Sequence, residues 1–217
     1  MTKVKRLLCI IIPIILCVGI YLLYRFNYIP HEKYTNEDFG IQPYASKNDQ
    51  DNDGVDDQTD ILISAHKYLN TKPHYKSKYY AETGYPDDEY GVCTDVVANA
   101  MKNSGYDLME LVNLDIINNS DDYEITKPDP YIDFRRVKNL RVYFDHTAIS
   151  LTTDINEISE WQAGDIVIWA GHIGIISERR NKKGIPFVLH HANPVQASYE
   201  EDILSTWGTI VGHYRIS

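Results

Sequence analysis

An uncharged run of 18 residues, Leu7 to Tyr24, constrains this chain more than any other feature. As a helix it spans about 27 Å, close to one hydrocarbon core. It has no polar face, which a helix packed against a soluble core would show. Lys3, Lys5 and Arg6 precede it and Arg25 follows. Leading bases put the N-terminus in the cytoplasm and everything after Arg25 outside. A cleaved signal peptide would have a shorter apolar region and a small-x-small site after it. A lipoprotein site at Cys17 would want a small residue where Leu16 stands. The expectation is an uncleaved, single-pass anchor in the cell membrane, carrying an extracellular domain.

The charge is divided by this segment. The chain holds 31 Asp and Glu against 21 Lys and Arg, a net −10. Residues 1–25 hold four of the bases and no acid, so the exported part carries about −14. Such an acidic part is a poor general binder of nucleic acid, which rewards basic patches. A content of 43% hydrophobic and 12% aromatic residues can bury a core. Cys9 and Cys17 lie inside the apolar run, leaving Cys93 as the one exported cysteine. An internal disulfide there is excluded, and with it a disulfide-built scaffold.

The expected organisation is an anchor over 1–25, a polar stalk over 26–48 and one compact domain over 49–217. Ile61, Leu62, Ala65, Tyr68 and Leu69 share a helix face, as do Val96, Val97, Ala100 and Met101. The second of these helices opens near Cys93 and stops at Gly105. Leu108, Leu111 and Val112 suggest a third helix, and Val137, Leu140, Tyr143 and Phe144 a fourth. Short β-branched and aromatic runs follow at Asp165–Trp169, His172–Ser177, Pro186–His191 and Ile210–Ile216. The loop Arg179–Gly184 makes the middle pair a hairpin. This order predicts an α+β fold, a helical first half packed on a C-terminal antiparallel sheet.

Residues 49–60 form an acidic loop with an EF-hand-like pattern. Ca²⁺ takes six to eight oxygens at about 2.3–2.6 Å. Acids at positions 1, 3 and 5 point their oxygens to one centre, glycine at 6 allows the reversal, and position 7 gives a carbonyl. Position 9 often acts through water, and position 12 closes the shell. Asp49, Asp51, Asp53, Gly54, Val55, Asp57 and Asp60 fill these places. Position 12 is Asp rather than Glu, and no clear helix precedes the loop. Six acids in twelve residues without a base repel one another unless an ion sits among them. A structural Ca²⁺ is the expectation; a solvated loop capping the next helix is the alternative.

Cys93 stands at a helix start, where exposed N–H groups and the dipole favour thiolate. A thiolate nucleophile needs an imidazole that takes its proton and later protonates the leaving amine. His172 begins a strand, and His190 and His191 end its hairpin partner. Alternation puts His190 and His191 on opposite faces, so one of them can point at the site. Zinc held by Cys93, His172 and His190 is a rival reading, although the spacing matches no compact zinc signature.

These residues carry a resemblance. Gly91-Val-Cys93-Thr-Asp-Val-Val, Trp161-Gln-Ala-Gly164-Asp165-Ile-Val, His172-Ile-Gly-Ile-Ile-Ser and Phe187-Val-Leu-His190 resemble the ordered blocks of the NlpC-type, papain-like cell-wall cysteine peptidases. More closely, the chain resembles a bacterial domain family of unknown function within that superfamily, through Pro128-Asp-Pro-Tyr-Ile-Asp-Phe-Arg-Arg-Val and Gly212-His-Tyr-Arg. The resemblance covers about residues 49–217. It implies a papain-like fold with Cys93 as nucleophile, His172 as base and His190 as orienting residue. His213 is expected to be structural or at the substrate edge. Asp95 and Asp133 are candidates to line the cleft or to serve as helix-start or loop carboxylates, and Arg135 and Arg136 to bind a substrate carboxylate or form a solvated helix face.

The expected activity is hydrolysis of an amide bond in peptidoglycan peptides by a monomer held at the membrane. Two alternatives stand beside it. One is an acyltransferase or thioesterase with the same site. The other is a non-catalytic, calcium-binding cell-wall protein with an inert cysteine.

Overall fold

The computed structural model describes residues 3–216 and separates into two compact units, 1–32 and 33–217. In the first, helix α1 (Lys3–Arg25) contains Pro13 and exposes its apolar side chains from Leu7 to Tyr24. Its segment Leu7–Arg25 has a mean hydropathy of 2.8 and is long and apolar enough to cross a membrane. A signal sequence near an N-terminus meets the same description. The chain leaves the helix through Asn27 at φ 59°, and His31 stacks on Tyr24 at 3.9 Å.

The second unit begins earlier than the sequence suggests. The segment expected as a stalk over 26–48 is divided: residues up to Glu32 belong to the first unit, and residues 33–48 belong to the second. Tyr34 exchanges both backbone hydrogen bonds with Arg180 at 2.8 Å. The Asn36 amide and the Tyr44 N–H both donate to Gln162 Oε1, and Ile41 is buried. Polar residues here satisfy tertiary partners, a role that leaves no periodicity to read.

Helix α2 (Asp57–Leu69) is capped by Asp56, whose carboxylate accepts from the Thr59 N–H. It buries Ile61, Ala65 and Leu69, a stripe of spacing four. Two short strands, β1 (His74–Tyr75) and β2 (Tyr90–Gly91), pair in parallel and deliver the chain to α3 (Cys93–Asn103). Helix α3 buries Val96, Val97, Ala100 and Met101, and Gly105 follows it at φ 84°. Then come α4 (Leu108–Asn118), α5 (Pro130–Asp133) and α6 (Val137–Thr147).

The remaining strands are β3 (Ile149–Ser150), β4 (Ile166–Trp169), β5 (His172–Arg180), β6 (Pro186–Leu189), β7 (Glu200–Glu201) and β8 (Ile210–Arg215). They form one antiparallel sheet in the order β3-β8-β4-β5-β6-β7. Ile166, Ile168, Ile173, Ile175 and Leu189 pack with Val96 and Val97 in the main core. Val167, Trp169, Ile176 and Val188 join Trp161, Ile203 and Leu204 in a second cluster. Both faces are therefore buried, which is why the central strands read as continuous apolar runs. The fold is α+β, with helices ahead of an antiparallel sheet.

Asp165 joins the two halves. Fully buried, it accepts from Arg215 Nε and Nη2 (2.8 and 2.7 Å), from the Gln58 amide on α2 (2.9 Å) and from the Gln162 N–H (2.8 Å). His213 Nε2 lies 3.0 Å from it, and the His213 ring stacks on Trp161 at 3.7 Å. His213 is thus a structural residue of the sheet.

Candidate active site

Cys93 is the first residue of α3 and is 8% exposed. The helix start is held by Asp95, whose Oδ2 accepts from the Val92 N–H at 2.8 Å. Asp95 is itself fully buried and clasped by Arg135, with Nε–Oδ1 2.6 Å and Nη2–Oδ2 2.9 Å. Arg135 also donates to the Lys78 carbonyl. Of its two expected roles Asp95 takes that of the helix-start carboxylate, whereas Arg135 takes neither the substrate-binding nor the solvated role expected for it. A buried guanidinium in a bidentate pair is committed to its partner. Asp133 likewise accepts from the Asp129 N–H at 2.7 Å and closes α5, and Arg136 lies exposed 3.8 Å from Asp133.

Cys93 shares the main core with Ile173, the residue after His172, whose N–H favours the thiolate. His172 opens β5 opposite Trp169, its Nε2 2.9 Å from His190 Nδ1. Gly174 makes that approach possible. A Cβ there would lie 2.5 Å from Val188 Cγ1 and 3.3 Å from His190 Cβ. His190 Nε2 continues the chain to Glu201 Oε2 at 3.1 Å. The Gln196 amide nitrogen is also near His190 Nε2, but it donates to the Ser198 carbonyl while its oxygen accepts from the Ala192 N–H. The carboxylate is the stronger acceptor, so His190 Nε2 carries its proton toward Glu201.

His190, rather than His191, is therefore the partner of His172. His191 sits on the other face, edge-on to Tyr75 and Tyr199, and its Nδ1 is buried without a partner. The structure brings His172 and His190 together and sets Cys93 beside the start of β5. Among the described residues, no hydrogen bond joins the thiol to either imidazole.

Trp207 closes the arrangement. Its ring lies 4.6 Å from His172 and 5.5 Å from His190 and remains 40% exposed. Glu201 and Trp207 were not signalled by the sequence. Each reaches the histidines through a loop or a two-residue strand with no pattern of its own.

Further unpartnered buried polar atoms gather here. They include the Tyr68 hydroxyl, Thr94 Oγ1 and Trp169 Nε1. The Tyr68 hydroxyl lies against Gly91, where a Cβ would be 2.2 Å away, so only glycine fits two residues before the thiol. Buried donors of this kind are costly unless something else completes them.

Burial sets the protonation state. It pushes the Cys93 thiol up to about 11, against the N–H groups of Ile173 and Thr94, which favour thiolate. Burial lowers His172 to about 3, helped by His190 and His191, and lowers His190 to about 3. The expected thiolate is thus replaced at rest by a thiol among neutral imidazoles. Desolvation exceeds the help of the helix terminus.

In the acidic loop, Asp49, Asp51 and Asp53 each bring an oxygen within 4.8 Å of the others. Asp57 is not in this group. It accepts from the Gln50 N–H at 2.8 Å and from the Tyr106 hydroxyl at 2.5 Å. Asp60, in the first turn of α2, is buried.

Residues 62–216 match the model of a domain of unknown function, DUF1287. The chain belongs to this family. It is 38% identical over 149 residues to the uncharacterized protein YijF of Escherichia coli (strain K12), covering 63% of this chain and 71% of that protein. No solved structure matches.

Proposed function

We propose that this DUF1287 protein is a membrane-anchored cysteine hydrolase of papain-like, NlpC type that cleaves an amide bond in peptidoglycan peptides outside the cell. The carrying observation is the chain His172–His190–Glu201 beside a thiol at a helix start. Glu201 accepts a hydrogen bond from His190 Nε2–H, which leaves Nδ1 to accept from His172 Nε2–H. His172 Nδ1 is then the basic nitrogen.

Substrate entry lets Cys93 Sγ pass its proton to His172 Nδ1 as sulfur bonds to the carbonyl carbon. The oxyanion is met by the Cys93 backbone N–H and the unpaired Tyr68 hydroxyl. Collapse breaks the C–N bond, and His172 returns the proton to the departing amine. Water, deprotonated by His172, then cleaves the thioester to a carboxylic acid and restores the thiol. Trp207 offers an exposed aromatic wall for substrate beside His172. Helix α1 supplies the anchor, and Lys3, Lys5 and Arg6 its orientation.

The full chain in detergent is expected to release new amino termini from purified peptidoglycan, and Cys93→Ala to release none. Equal release by both removes Cys93 as nucleophile. Cleavage of lipid acyl thioesters in place of muropeptides points to the thioesterase alternative.

One observation favours a second, non-catalytic reading, in which the domain binds the cell wall. A thiol 8% exposed and held near 11 is also what an inert core cysteine shows. Absence of turnover on every peptidoglycan fraction, with Cys93 unreactive toward iodoacetamide, supports that reading.

A further inference from the structure

A cavity of about 390 Å³ lies between segment 33–48, α2 and the turn that enters β4. Small-molecule sites span roughly 300–1,000 Å³. Asn36 and Tyr44 wall it on one side, Gln58 and Leu62 of α2 on another, and Gln162 and Glu178 complete it. No residue of the hydrolase reading lines it. Gly164 lets the turn close on α2. Its φ is 90°, and a Cβ there would lie 2.4 Å from the Gln58 carbonyl oxygen.

The lining has given away its donors. The Asn36 amide donates to Gln162 Oε1, and the Gln162 amide to the Gln42 and Ser159 carbonyls. The hydroxyls of Thr35 and Thr59 bond Asp38 and Asp56. Gln58 Nε2 donates to the Ala163 carbonyl at 2.6 Å and to Asp165 Oδ1 at 2.9 Å. Those two acceptors fix which way the Gln58 amide lies. Gln58 Oε1 is the end left over, buried without a partner in a residue 2% exposed. A buried acceptor in that state is costly until a donor reaches it.

The charges have the same sign. Glu37 and Glu178 stand in the lining, and no Lys, Arg or His does. His66 and Arg179 approach Glu178 from outside the lining, and the His66 bond holds its carboxyl down at about 2. Acceptors without donors exclude an anion and call for a ligand rich in N–H. These acceptors do not converge as a metal ion requires, since the ligand atoms close to Glu178 belong to His66 and Glu200, not to Glu37. Pro43 and Leu62 add an apolar wall.

We propose that this cavity binds a small primary amine, its ammonium against Gln58 Oε1 and Glu178 and its aliphatic stem against Leu62 and Pro43. An ammonium brings three donors and a positive charge, which this lining lacks. The ligand touches segment 33–48, α2 and β5 at once, and so fastens the segment to the domain. The site stands independently of the hydrolase reading, since Cys93→Ala should bind the amine as the native chain does.

The test is calorimetry at pH 7 of the full chain in detergent with n-butylammonium, corrected for titration into empty micelles. n-Butanol and butyrate are controls with the same stem. One equivalent of butylammonium should bind with Kd at or below about 1 mM. The two controls should bind at least about tenfold more weakly. Leu62→Trp should fill the cavity and abolish binding. Glu178→Gln should raise Kd about threefold or more. That variant decides the matter if Leu62→Trp fails to fold, because the Glu178 side chain is 41% exposed. Absence of saturable binding up to about 20 mM overturns the site. So does equal binding of n-butanol, or native affinity in Glu178→Gln.

Discussion

His172 Nε2 stands 2.9 Å from His190 Nδ1, an imidazole-to-imidazole contact that has a direction only because Glu201 holds the far nitrogen of His190. Two neutral imidazoles can share a proton either way round. A carboxylate at one end removes that freedom and leaves the free nitrogen of His172 as the acceptor.

Glu201→Gln is expected to reverse the chain. Its amide can donate to His190 Nε2, which forces the proton to Nδ1 and makes His172 Nδ1 the protonated nitrogen. Turnover should fall by about 10²–10⁴-fold, the range for lost general-base catalysis, with KM little changed. Steady-state kinetics on a muropeptide measures this. A Glu201→Gln enzyme with native kcat would show that the carboxylate does not set the tautomer.

Parts of this site were legible in the sequence, and the division is physical. Cys93 could be placed at a helix start because Val96, Val97, Ala100 and Met101 mark one face and Gly105 the end. Period-two alternation limited the partner of His172 to one of two adjacent histidines. Glu201 was invisible, since its place depends on pairing with Val188 across a two-residue strand. Arg135 was misjudged because its partner lies 40 residues earlier, and a charged side chain does not reveal its own burial. The segment 33–48 reads as a stalk because Asn36 and Tyr44 are held by hydrogen bonds to distant polar partners rather than by an apolar stripe.

The resting thiol predicts a particular reactivity profile. With Cys93 near 11 and His172 near 3, no thiolate–imidazolium pair exists between pH 5 and 8. The iodoacetamide rate should climb about tenfold per pH unit across pH 6 to 9, following the thiolate fraction. Mass spectrometry of the Cys93 adduct over time gives this rate. A plateau beginning below pH 6 would show a preformed ion pair instead.

Acid should unfold the domain through the same histidines. The pKa values of His172 and His190 are depressed from 6.5 to about 3 in the fold, so the unfolded chain binds more protons between those limits. Stability is complete above pH 6.5 and falls as pH drops, by up to about 1.4 kcal/mol per unit for each histidine. His66 opposes this weakly, since Glu178 raises its pKa. Denaturant midpoints measured from pH 7.5 to 4.5 should therefore decline steeply. His190→Gln should flatten the slope, and an unchanged slope would place the acid sensitivity elsewhere.

Arg135 offers a sharper contrast between two roles. A residue that binds substrate can be replaced with little loss of stability, whereas one that neutralises a buried carboxylate cannot. The side chains of Asp95 and Arg135 are 0% and 2% exposed, and Asp95 also holds the Val92 N–H at the start of α3. Arg135→Met leaves Asp95 charged without compensation and should cost about 3–5 kcal/mol. Adding Asp95→Asn removes the stranded charge and should recover part of that loss, because the amide oxygen can still accept from Val92. The recovery would appear as a favourable coupling in a double-mutant cycle of denaturant unfolding. If Arg135→Met instead kept native stability and raised KM, the guanidinium would belong to the substrate rather than to the fold.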